Sequence, residues 1–235
     1  MNARFPIILF FVEAFYYLSR LRSKPVITLF FIGAMILFHI NKNMLGIYSN
    51  VSRACISYNY IWWNKQYGRL WWHSLVHLSD WHLYYNMVNL LWKGGTLEPL
   101  LGWLHYLVSI CIIIPLCAIV YIALAFALFI FKGSYYGETY LFQCAAGFSG
   151  VLFALRVIEL SVIHRDSSYS IFGIEISLPK HCIVWIELVV IYLIEPNSSF
   201  IGNAFLYRRL LIAFRSFQWH CCRFDVYFRT IKLVH

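Results

Sequence analysis

The chain has 235 residues, 61% of them hydrophobic and only 12% charged, with a mean hydropathy of +0.68. Soluble domains average about 25% charged residues. A soluble fold of this length cannot hide so much apolar surface, so the surplus must face lipid, and a two-domain soluble architecture is excluded. Of the net charge of +9, +8 sits at the two ends. Arg4, Arg20, Arg22 and Lys24 oppose Glu13, and Arg208, Arg209, Arg215, Arg223, Arg229 and Lys232 oppose Asp225. Basic flanks stay cytoplasmic, which predicts cytoplasmic termini and an even number of spans. No nucleic-acid partner is expected, because the basic residues flank apolar runs instead of forming one face.

A span needs ~20 mostly apolar residues. Residues 5–18 are apolar but short, and either lie on the surface or extend the first span, which is predicted over residues 25–40. Residues 41–80 read as a long, irregular aromatic loop. The paired aromatics Trp62-Trp63, Trp71-Trp72 and Tyr84-Tyr85 fit interfacial anchoring. A second span is predicted from His82 to Trp92, ending at Lys93-Gly94-Gly95. Residues 103–131 contain no Asp, Glu, Lys or Arg and are long enough to span with tilt. A fourth span is expected over residues 140–160, then a polar loop over 161–180 and a fifth span over 181–194 carrying Glu187. The sixth, over 198–214, is degenerate: it meets Arg208-Arg209 after about ten residues.

The 7 cysteines form neither a metal nor a disulfide pattern on this reading. Cys111, Cys117 and Cys144 lie in apolar runs, and His220-Cys221-Cys222 lacks the second pair that zinc spacing requires. No cleavable signal peptide is expected, since Phe5–Leu18 is broken by Glu13 and lacks a small-residue cleavage site.

Two constellations carry chemistry. Gly147-Phe148-Ser149-Gly150 is predicted in the middle of the fourth span. Ala146, Gly150 and Ala154 recur every four residues and form a ridge for close helix packing. That explains the glycines but not Ser149. The serine either bonds back to its own helix, as lone membrane serines do, or acts as a nucleophile. The second constellation is His82 and Asn86, four apart on one helical face that Asn89 continues. Polar groups inside a span are costly unless partnered or functional. They serve as interhelical glue, as an oxyanion pocket with the Ser149 N–H, or as the polar lining of a small transporter. The unrepeated span pattern argues against the transporter.

Together, "HLSDWHLYYNMVNLLWKGGTLE" and "GFSGVLFAL", with Arg69 in the long loop and Trp185-Ile186-Glu187-Leu188 in the fifth span, resemble the rhomboid family, most of all its endoplasmic-reticulum type. The resemblance covers roughly residues 25–202 and implies an all-α bundle of six membrane helices with a cavity open to the lumen. It implies an intramembrane serine endopeptidase that cleaves transmembrane or misfolded membrane proteins, without metal or organic cofactor. By position, Ser149 is then the nucleophile, flanked by Gly147 and Gly150. His82, Asn86 and the Ser149 N–H form the oxyanion site, Arg69 braces the first loop, and Glu187 packs or hydrogen-bonds.

The resemblance stops at Gly202. The family's general base is a histidine on the sixth span, but the expected position holds Asn203, and a carboxamide is not a base. Phe205, Leu206, Tyr207, Arg208 and Arg209 replace the small residues expected to follow. Residues 1–202 therefore read as a rhomboid-like membrane domain and 203–235 as an atypical basic tail. His220 lies 17 residues beyond Asn203, about 26 Å along a helix. His164 and His181 border the loop on the far side, and His73 and His77 read as first-loop packing. Two explanations remain open. One is a pseudoprotease that binds membrane clients. The other is a sequence joined after Gly202 by intron read-through, since Gly202-Asn203 can be encoded by a splice-donor-like GGTAAY.

Overall fold

The computed structural model describes residues 5–41, 51–162, 168–171 and 174–177. The predicted fifth and sixth spans, with Glu187, Asn203, His164, His181 and His220, lie outside the described residues. The rest is predominantly helical. Helix α1 runs Phe5–Arg20 and α2 runs Val26–Ile40. In the long loop, short turns α3 (Val51–Ala54) and α4 (Arg69–Trp72) flank a π-helical turn at Asn59–Trp63. Then come α5 (Asp80–Leu101), α6 (Trp103–Phe142) and α7 (Ser149–Val162).

Helix α5 is the hub, packing against α1, α2, α6 and α7. It starts at Ser79, whose hydroxyl accepts from the His82 N–H at 3.1 Å, with Asp80 favourably placed in the first turn. Its apolar side, Leu83, Met87, Leu90, Leu91 and Leu97, is fully buried with Phe10, Met35, Tyr106, Ile110, Phe148 and Leu155 from its neighbours. His39, in the last turn of α2, meets Asp80 at 2.6 Å, tying the two helix ends together.

One expectation about spans is narrowed and two need correction. The segment Phe5–Leu18 is its own helix on α5, separated from α2 by a break ending at Pro25. Helix α5 does not stop at Gly94-Gly95 but continues to Leu101. Those glycines mark close helix crossing instead: a Cβ on Gly94 would lie 2.0 Å from Thr28 Oγ1, and one on Gly95 2.5 Å from Tyr17 Oη. The fourth span does not begin near residue 140. Helix α6 runs to Phe142, residues 143–148 are non-helical, and α7 starts at Ser149. Ala146 is therefore outside the helix, and the expected small-residue ridge begins only at Gly150.

Helix α6 is not a straight rod. Tyr121 Oη donates to the Gln143 carbonyl at 3.1 Å, although 22 residues of straight helix would separate them by about 33 Å. Leu141 also packs with Tyr58 and Ala125. The chain thus turns back on itself between Ala125 and Leu141, and its last turns run back alongside the helix. Among the described residues, Trp103–Phe131 is the one helix long and apolar enough to cross a membrane by length and composition, and Val26–Ile40 is a shorter apolar helix. The predicted polar loop 161–180 contains two short antiparallel strands, β1 (Ser168–Ile171) and β2 (Ile174–Ser177).

The cysteine reading is also corrected. Cys55 and Cys144 form a disulfide across 89 residues, with Cα atoms 5.6 Å apart. No local spacing reveals it, because the partners lie in the loop and beyond α6. Closing a loop of that length is worth about 4–5 kcal/mol in the chain-entropy account.

Glu98 fixes the α2–α5 crossing. Its carboxylate accepts from the Ile27 N–H (2.9 Å), the Thr28 N–H (2.9 Å) and Thr28 Oγ1 (2.8 Å), capping α2 where the helix dipole favours an anion. Charge-assisted bonds of this kind contribute ~1.5–3 kcal/mol each. Glu98→Ala is expected to lower stability by about 3 kcal/mol on that basis, measured as a shift in the unfolding midpoint in mixed detergent.

Candidate active site

The non-helical stretch before Ser149 lies in an apolar bundle, so its backbone groups need partners. The long loop supplies them. Ala145 and Ile56 exchange two bonds, Ala145 N–H to Ile56 O at 2.9 Å and Ile56 N–H to Ala145 O at 2.8 Å. The Gly147 N–H donates to the His73 carbonyl at 2.8 Å, and the Phe148 N–H to His77 Nε2 at 3.4 Å. Gly147 has φ +122°, a conformation that side chains resist. A Cβ there would lie 2.7 Å from His82 Cε1. The glycine thus serves two needs: a left-handed backbone, and room for the His82 ring against the turn before Ser149.

Starting a helix at Ser149 has a chemical consequence. In mid-helix its N–H would be spent on a carbonyl four residues back. In the first turn the N–H groups have no intrahelical acceptor and carry the positive end of the dipole, which suits an oxyanion. Half-buried Ser149 shares the wall of a cavity of about 70 Å³ with Ile56, His73, Cys117, Tyr121 and Gly150. That volume holds a few water molecules.

His82 and Asn86 are both buried. The His82 ring lies on Gly147 and packs edge-on against His77, with centroids 5.1 Å apart. Asn86 Nδ2 donates to the His82 carbonyl at 2.7 Å, leaving its Oδ1 without a partner among the described residues. Asn89 turns to other work: its Nδ2 donates to the Tyr85 carbonyl and its Oδ1 accepts from Lys93 Nζ.

Arg69 is buried in the loop. Its Nη1 donates to the Cys55 carbonyl at 2.7 Å and the Ser52 carbonyl at 3.2 Å. Its Nε donates to Gln66 Oε1 at 2.6 Å, and its guanidinium stacks 3.8 Å over the Tyr60 ring. The loop that meets the Ser149 turn is therefore organised by one cation.

His73 and His77 do more than fill the loop: the His73 carbonyl and His77 Nε2 both accept hydrogen bonds from the turn before Ser149. Their four-residue spacing ahead of His82 was the available signal. His73 Nδ1 faces the Arg69 carbonyl at 3.0 Å, which fixes its proton on Nδ1. Burial pushes the His73 imidazole down to about 4. Burial, then the neighbouring His82 and His39, holds His77 well below its ordinary value. Both are depressed, so between pH 6.5 and about 4 the unfolded chain binds more protons than the folded one, and stability rises with pH across that window. The unfolding midpoint is expected to be flat above pH 7 and to fall as pH drops from 6.5 towards 4, checked by detergent unfolding across that range.

A lipid-facing helical bundle with a glycine-flanked serine at a helix start, beside a His-x-x-x-Asn face, points to the class of intramembrane serine proteases and their inactive relatives. The chain belongs to the rhomboid family: the Rhomboid domain model matches residues 64–205, and the protein is an integral membrane protein. It is 35% identical over 185 residues to rhomboid-related protein 4 of Homo sapiens, covering 78% of this chain and 55% of that one. It is 34% identical over 186 residues to rhomboid-related protein 4 of Mus musculus, covering 78% and 55%. It is 31% identical over 199 residues to rhomboid-like protein 14, mitochondrial, of Arabidopsis thaliana, covering 84% and 57%. The chain spans about half the length of these relatives.

Proposed function

We propose that this chain carries a rhomboid-type acyl-transfer centre whose nucleophile and oxyanion half are present and whose general base is not. The observation that carries it is the Ser149 turn: the serine heads α7, and the His82 ring lies against Gly147, two residues before it. Ser149 Oγ attacks a substrate peptide carbonyl, its proton passing through water to the amine that leaves. The negative oxygen is held by the Ser149 N–H, His82 and, once its side chain swings from the His82 carbonyl, Asn86. Leaving-group departure gives an acyl-enzyme that water releases. Asn203 stands where the family resemblance expects the base, and losing the base from a Ser–His pair typically costs ~10⁴–10⁶ in turnover.

The substrates are transmembrane or misfolded membrane proteins, and the proposed location is the endoplasmic reticulum with cytoplasmic termini. Residues 1–202 form the rhomboid unit, spanning the bilayer with five clear helices and a degenerate sixth, and 203–235 form the basic tail. Asn203 favours a second reading, a pseudoprotease that binds membrane clients without cutting them. A fluorophosphonate probe is expected to label Ser149 slowly, to lose that label in Ser149→Ala, and to be accompanied by no robust cleavage of a reconstituted transmembrane substrate. Robust cleavage that depends on Ser149 would contradict the missing-base reading. A spliced message encoding Gly-His and a small-residue helix after Gly202 would remove the pseudoprotease reading.

A further inference from the structure

We propose that the Cys55–Cys144 disulfide positions the nucleophile, so that its redox state sets the reactivity of Ser149. This rests on the reading of Ser149 as nucleophile.

The bridge stands five residues before Ser149, at the head of the non-helical stretch. Immediately after it comes a single pair of strand-like bonds, Ile56 with Ala145. Next is the Gly147 N–H on the His73 carbonyl, then the Phe148 N–H on His77 Nε2. Among the described residues, the hydrogen bonds that tie Ala145, Gly147 and Phe148 to a neighbouring segment therefore all come from the same loop, residues 56–77. An isolated two-stranded pairing is marginal on its own. The covalent link turns a two-bond pairing into a fixed register. On the loop side the register is anchored too, because Arg69 Nη1 holds the Cys55 carbonyl at 2.7 Å. Loop, bridge and turn form one frame that ends at the N-terminus of α7, where the serine and its N–H must point at the same oxygen.

The two sulfur sites differ in access: Cys55 is 5% exposed, whereas Cys144 lies on the surface. A dithiol reductant can thus reach the bridge from the Cys144 side. Its thiolate attacks a bridge sulfur, the S–S bond breaks, and the second thiol closes on the mixed disulfide. The products are an oxidised reductant and two cysteine thiols, one on Cys55 and one on Cys144. Disulfides persist where the compartment is oxidising, so the bridge requires the loop side of the bundle to face such a compartment.

The test uses the full chain in proteoliposomes. Non-reducing peptide mapping should recover Cys55 and Cys144 as one cross-linked peptide that separates with dithiothreitol. Fluorophosphonate labelling of Ser149 should then slow by about tenfold to a hundredfold, the scale expected for a misplaced reacting group, both after reduction and in Cys55→Ser/Cys144→Ser. Reduction should have no effect on that double variant, which keeps the other five cysteines, Cys111, Cys117, Cys182, Cys221 and Cys222. Unfolding midpoints measured in parallel separate a positioning effect from loss of fold. The proposal is overturned if the two cysteines are recovered as free thiols. It is equally overturned if the bridge forms and its removal leaves the labelling rate unchanged, or slows it only where most of the protein has unfolded. Absence of Ser149 labelling in the oxidised wild type would refute the nucleophile reading instead.

Discussion

Gly147→Ala is expected to slow fluorophosphonate labelling of Ser149 by about a hundredfold while leaving most of the bundle folded. Two independent demands converge on this residue. Its φ of +122° lies where an L side chain is strained, at ~1–3 kcal/mol per residue so held. The new methyl would also fall 2.7 Å from His82 Cε1 and 2.8 Å from Nε2, so the ring must leave. The backbone bond from the Gly147 N–H to the His73 carbonyl would shift with the turn. The variant thus moves the serine, its N–H and the neighbouring imidazole together. A His82→Ala variant, which removes only the ring, should be milder. Unchanged labelling of a folded Gly147→Ala protein would show that the turn does not set Ser149.

Arg69→Ala is expected to destabilise the protein by about 3–4 kcal/mol, since hydrogen bonds to a charged group contribute ~1.5–3 kcal/mol each. Arg69→Lys should recover little of that. The guanidinium serves the Cys55 and Ser52 carbonyls and Gln66 Oε1 while stacking on Tyr60. A planar fork with several donors can do this, and an ammonium point charge cannot. Truncation leaves two backbone carbonyls of the loop short of a donor. Chemical unfolding in detergent reads the loss, and recovery of wild-type stability by lysine would show that charge alone matters. Loss of loop order should also slow Ser149 labelling, because that loop holds the serine turn.

The elements that could be read from sequence were those with a strong local signal. The apolar run 103–131 exists as helix, and His82 and Asn86 do share one face because i and i+4 align on any helix. The start of α7 was not legible. Apart from Gln143 and Ser149, residues 141–155 are apolar or glycine, so no change of period marks a boundary. The break is set by tertiary partners, His73, His77 and Ile56, which lie 70 or more residues away. Gly94 and Gly95 were misread because a glycine pair signals a helix end and a close helix contact equally well. The fold-back of α6 and the Cys55–Cys144 bridge depend on contacts across 22 and 89 residues, beyond the reach of any local pattern.

The reversal of α6 also acts as a depth gauge. The apolar run extends from Trp103 to Phe131, and Cys117, which lines the Ser149 cavity, is its middle residue. Each end of the run is therefore about 21 Å away along the helix axis. After passing the end of that run, the chain descends again before presenting its serine. If the chain acts on membrane clients as proposed, a hydroxyl at that level would stand opposite the interior of a client's membrane helix, where peptide carbonyls are already occupied by their own helix bonds. On the proposed reading of Ser149, a client with a glycine- or proline-weakened span would offer a loosened peptide bond at that height, whereas a uniformly stable span would not. Client choice would then follow how easily a segment unwinds as well as which side chains flank the bond.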